Sequence, residues 1–136
     1  MPLAVTFVAS RCTDACPIAN AVFAQLARRL RRDRIAARLL TVTLDPEYDT
    51  PFVLAAVRRQ YGAQADPRWQ LASGDVRDIH RLMRAFGIVA ARGRDGVPDI
   101  HGSLVYILDR HARLARSLLL STGLPSDAEA ALRRLV

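Results

Sequence analysis

"LAVTFVASRCTDACPIANAVFAQLARRLRR", residues 3–32, joins a β-rich run to a helical period through a loop that carries both cysteines of the chain, Cys12 and Cys16. Residues 3–9, "LAVTFVA", read as a strand from their length and branched apolar content. Pro17 suits the first turn of a helix, where a missing N–H costs nothing. Ile18, Val22, Leu26 and Leu30 then recur on one helical stripe. The cysteine loop thus leaves the carboxyl end of a strand, the place where open α/β sheets gather their binding sites.

The alternation continues outward from this unit. "RLLTVTL" (38–44) is a second strand, and Thr50 followed by Pro51 gives an N-cap and first turn for a helix that Gly62 stops. "WQLAS" (69–73) is a short strand, and residues 75–86 form a helix ended by Gly87. Residues 91–102, "ARGRDGVPDIHG", read as a surface loop. "SLVYILD" and "ARLARSLLL" flank a polar turn at Arg110 and His111 and read as a β-hairpin. Ser126 and Glu129 have the spacing of a capping box for a closing helix over 127–136. The order β-α-β-α-β-α-β-β-α predicts an α/β thioredoxin-like fold, a central mixed sheet flanked by helices, in a single domain over residues 1–136.

A chain of 136 residues with 51% hydrophobic content can bury a core of its own, so the cysteines are not needed as a staple. The net charge of +7 comes from twenty arginines and no lysine. These are scattered over the helices with no aromatic stacking platform between them, which reads as a solvated basic face and not as a nucleic-acid surface. No run approaches the roughly 18 apolar residues of a membrane helix, and "MPLAVTFVAS" lacks the basic start and cleavage site of a signal peptide.

The chemistry therefore centres on Cys12 and Cys16. Cys16 stands next to Pro17 at the start of a helix, where the helix dipole and unpaired N–H groups favour a thiolate. Four residues separate the pair, so a helical turn between them would point both sulfurs the same way, able to bridge or to chelate. A redox pair and two metal ligands both fit. Of the three histidines, His80 reads as a surface residue of a helix and His111 as an exposed turn residue. His101 precedes the hairpin; in a thioredoxin-like topology its loop packs beside the amino end of the first helix, near the cysteines.

Three segments in order, "FVASRCTDACP", "TVTLDPEYDTP" and "DIHGSLVYILDRHARL", resemble the SCO/SenC family of thioredoxin-like copper-binding proteins. The likeness lies in a C-x-x-x-C-P after one strand, a D-P-x-x-D-T-P after the next, and a histidine before a strand ending in Leu-Asp. It spans Thr6 to Leu114. The resemblance implies that Cys12, Cys16 and His101 bind one copper ion. Two soft thiolates suit Cu(I), and an added imidazole makes a site that also holds Cu(II); a structural zinc site would want a fourth ligand, and none is evident. Asp99 is the nearest acid, whereas the family often has an acid directly before the histidine, where this chain has Ile100. Asp45, Pro46, Asp49, Thr50 and Pro51 read as strand end, turn and helix cap, with Asp45 also able to face the metal site as an outer hydrogen-bond acceptor.

The function this resemblance implies is a copper metallochaperone that delivers copper to the dinuclear centre of cytochrome c oxidase. Its partners would be the copper-centre subunit or another copper or thiol protein, with no nucleic acid. The other reading is a thiol–disulfide oxidoreductase using Cys12 and Cys16 without His101. The family's domain usually carries more chain before the first strand, including a hairpin and a membrane anchor. A periplasmic or membrane-tethered protein is expected if this chain is a part of such a protein, and a cytoplasmic one if Met1 is the natural start. The segment 88–100 is shorter and richer in glycine than the family's, a departure that bears on partner recognition.

Overall fold

A computed structural model of the chain describes residues 1–11, 15–88, 90–92, 98–100, 104–119 and 121–136. Parallel strands β1 (Leu3–Val8), β2 (Arg38–Thr43) and β3 (Trp69–Ala72) form one half of a sheet, and the antiparallel hairpin β6 (Val105–Leu108) and β7 (Leu114–Leu118) extends it across β1. The strand order β3-β2-β1-β6-β7 places β1 at the centre of a five-stranded mixed sheet. With helices α1 (Ala15–Arg32), α2 (Pro51–Tyr61), α3 (Val76–Ala85) and α4 (Leu124–Leu135), this is the expected thioredoxin-like α/β fold.

The core follows from the period of each element. β1 is buried from Ala4 onward because the sheet is covered on both sides, which its near-continuous apolar run anticipates. Ala19, Val22, Phe23, Leu26, Ala27 and Leu30 form the buried stripe of α1. Phe23 meets Trp69 of β3 edge to face at 6.0 Å, and the indole N–H of Trp69 donates to the Thr41 hydroxyl at 2.9 Å. Phe7, Phe86 and Tyr106 make a second group, each pair in an edge-to-face arrangement. Burial within it pushes the Tyr106 phenol up.

Local signals fixed most boundaries. The Thr50 hydroxyl accepts from the Val53 N–H at 3.4 Å, and Gly62 closes α2 at φ 76°. In the hairpin turn the Asp109 carboxylate accepts from the N–H groups of Arg113 and His111, which hold its pKa below the usual carboxylate value. His80 and His111 are both exposed, as their places in a helix and a turn suggest.

Three expectations need correction. Ile18 is 42% exposed, because the buried stripe of α1 runs through Ala19 and Phe23 instead. Ser126 is not a cap: α4 already begins at Leu124 after Gly123, with Pro125 in its first turn, and Glu129 is buried beside Arg29 and Arg133. A proline supplies the helical φ without an N–H to satisfy, so the helix starts earlier than a polar cap would place it. Within the expected surface loop, β4 (Ala90–Arg92) and β5 (Pro98–Ile100) pair antiparallel as a separate two-stranded ladder.

Candidate metal and thiol site

β1 and β2 are parallel neighbours, so the loops that follow them leave the same end of the sheet. The first carries the cysteines and the second is the acidic turn 44–50. β6 runs antiparallel to β1, with Leu3 opposite Leu108, so its beginning reaches that same end. There the Thr6 hydroxyl donates to the Leu104 carbonyl at 2.8 Å. Three chain segments far apart in sequence thus converge beyond the carboxyl end of the central strand.

Cys16 is the second residue of α1 and only 2% exposed. Its sulfur accepts the N–H of Ala9 at 3.4 Å. That N–H and the amino end of α1 offer the sulfur partial positive charge, which works against the cost of burying a thiolate. Beside it lies a small cavity of about 120 Å³ lined by Cys16, Asn20, Gln60 and Tyr61 among others. Asn20 is buried, and its Oδ1 finds no hydrogen-bond partner among the described residues.

The turn that follows β2 takes hold of the two residues before Cys12. Asp49, fully buried, accepts the Ser10 N–H at 3.2 Å, the Ser10 hydroxyl, and the Thr43 hydroxyl at 2.6 Å. Asp45, also buried, accepts two N–H groups of the Arg11 guanidinium at 3.0 and 2.7 Å. The hydrogen bond to Asp45 holds the Arg11 guanidinium above its usual pKa. The guanidinium also lies 4.4 Å from the centre of the Tyr48 ring. Thr43 ties the two acids together, since its hydroxyl accepts the Asp45 N–H at 2.9 Å while donating to Asp49. The turn is closed by N–H groups of Tyr48 and Asp49 donating to the Asp45 carbonyl.

The SCO1/SenC family model matches residues 1–136. The chain belongs to the SCO1/SenC family.

Among curated SCO relatives, an SCO2-like protein of Rickettsia felis is 24% identical over 124 residues, 88% of this chain and 58% of the relative. The chain thus spans a little over half the length of that protein. Two solved SCO structures share the fold. ScoI of Bradyrhizobium japonicum with copper bound is 24% identical, with a TM-score of 0.80 over 99% of this chain and 85% of that one. A SCO1/SenC family lipoprotein of Bacillus anthracis is 20% identical, with a TM-score of 0.88 over 98% and 80%.

Of the three expected SCO ligands, Cys16 is described, while Cys12 and His101 lie outside the described residues. Among the described residues no three His, Cys, Asp or Glu side chains gather as a metal site. Asp45 does face the cysteine loop from the end of β2, but its carboxylate is engaged by Arg11. Asp99 stands in β5 opposite Ala91. Sequence reasoning missed Ser10, Arg11 and Asn20, and read Asp49 as part of a turn. The available signal was two acids in a short segment between a strand and a helix, a place where burial requires partners. No helix among the described residues is long and apolar enough to cross a membrane.

Proposed function

We propose that this chain is a copper-binding metallochaperone, with Cys12, Cys16 and His101 as the ligands of one copper ion and delivery to the dinuclear copper centre of cytochrome c oxidase as its task. The observation that carries the reading is the convergence at one sheet end: Cys16 at the start of α1, Arg11 anchored just before Cys12, and Leu104, three residues after His101, bonded to Thr6 of β1. The donor set also suits the cargo, since two thiolates and an imidazole match Cu(I) and tolerate Cu(II). Copper enters as Cu(I) on the reduced cysteines and leaves by stepwise exchange of these ligands for those of the target. Residues 1–136 act as one domain, periplasmic or membrane-tethered where they form part of a longer protein and cytoplasmic where Met1 is the natural start.

The test is a competition titration of the reduced protein against a Cu(I) chelator. One tightly bound equivalent is expected, with a large loss of affinity on Cys12→Ser, Cys16→Ser or His101→Ala. Absence of that equivalent overturns the proposal. The position of Cys16 at a helix start favours a second reading, a thiol–disulfide oxidoreductase. That reading gains if His101→Ala leaves copper affinity unchanged while Cys16→Ser abolishes disulfide reduction.

A further inference from the structure

We propose that Asp49 is a positioning residue for the thiol pair: it sets the path of the chain into Cys12 and so tunes copper affinity and disulfide exchange. The proposal rests on reading Cys12 and Cys16 as copper ligands for its metal arm, but not for its thiol arm. Asp49 is fully buried, and its donors come from two elements, Ser10 after β1 and Thr43 at the end of β2. A buried carboxylate is expensive unless donors surround it, so these hydrogen bonds are held against a substantial penalty for letting go. Both the N–H and the hydroxyl of Ser10 point to it, which fixes position and orientation of that residue. Only Arg11 separates Ser10 from Cys12, and Arg11 is itself tied to Asp45.

On the other side of the loop, Cys16 is fixed by the start of α1 and by the Ala9 N–H. The loop is therefore anchored at both ends by groups that are not ligands. Such outer partners orient ligands, and their loss typically costs about 10–100-fold in metal affinity. Anchoring both ends also raises the effective concentration of one thiol at the other, which favours the intramolecular disulfide.

The variants are Asp49→Asn and, as a control, Asp66→Asn. Asp66 is a second buried carboxylate, bound by Arg31 and Arg68, and it lies before β3 at the opposite end of the sheet. In the folded full chain, Asp49→Asn is expected to weaken Cu(I) binding about tenfold or more. It is also expected to lower severalfold the equilibrium constant for forming the Cys12–Cys16 disulfide against dithiothreitol. Asp66→Asn should change neither. Ser10→Ala, which removes only the hydroxyl, serves if Asp49→Asn fails to fold, and should shift both quantities the same way by less. The proposal is overturned if Asp49→Asn, or Ser10→Ala in its place, leaves the disulfide constant unchanged, or if Asp66→Asn moves it equally. If the parent chain binds no copper, the copper reading falls while the disulfide constant still decides the role of Asp49.

Discussion

Asp49 accepts both the backbone N–H and the hydroxyl of Ser10, a residue 39 positions earlier in the chain. This one relationship joins the acidic turn after β2 to the cysteine loop after β1. It is possible because β1 and β2 are parallel neighbours whose carboxyl ends open on the same side.

Thr43→Val tests the link within the acidic turn. The substitution keeps the shape but removes a hydroxyl that donates to Asp49 and accepts from the Asp45 N–H. Two buried groups lose a partner, at about 1–3 kcal/mol each. A loss of roughly 2–6 kcal/mol of unfolding free energy is expected in urea titrations. A loss below about 1 kcal/mol would mean that water replaces the hydroxyl.

The two sides of α1 should respond differently to truncation. Leu26 is fully buried, and Leu26→Ala should cost about 2–5 kcal/mol. Ile18 is 42% exposed, and Ile18→Ala should stay within about 0.5 kcal/mol of the parent. Equal destabilisation would restore Ile18 to the core stripe.

Gly62 holds φ 76° at the end of α2, with nothing within 4 Å of the place a Cβ would take. Gly62→Ala should therefore cost about 1–2 kcal/mol through backbone strain alone. Gly62→Asn should cost less, because asparagine tolerates the left-handed region better. Thermal unfolding of the two variants gives the comparison.

Asp33, at the carboxyl end of α1, bonds Arg32 and lies near Arg133, and its pKa falls from 3.8 to about 2. A carboxylate whose folded pKa is depressed binds fewer protons in the folded state, so it adds stability above its unfolded pKa. That contribution disappears as pH falls through the folded value. The stability gap between the parent and Asp33→Asn should be largest near neutral pH and close between pH 3.8 and about 2. A gap that widens on acidification would reverse the assignment.

Much of the scaffold was legible because its signals are local. The Thr50 cap, the Gly62 stop, the polar hairpin turn and the alternation of strands and helices each depend on neighbours a few residues apart. The errors arose where two local signals competed or where none existed. Ser126 and Glu129 matched a capping pattern, but Pro125 had already started the helix. Ile18 shared a period with Val22, yet the facing surface fell one residue away at Ala19. The β4–β5 ladder is a backbone pairing within a glycine-rich segment that has no apolar alternation to announce it.

By itself the sequence determined the thioredoxin-like order of elements and the donors on offer: two cysteines at a strand-to-helix junction and a histidine before the hairpin. These follow from residue chemistry and short-range periodicity. The tertiary structure alone decided that Asp49 and Asp45 hold Ser10 and Arg11, and that Thr43 couples the two acids. Side-chain hydrogen bonds between distant loops leave no periodic trace in a sequence, because they depend on which strands are neighbours and which way each one runs.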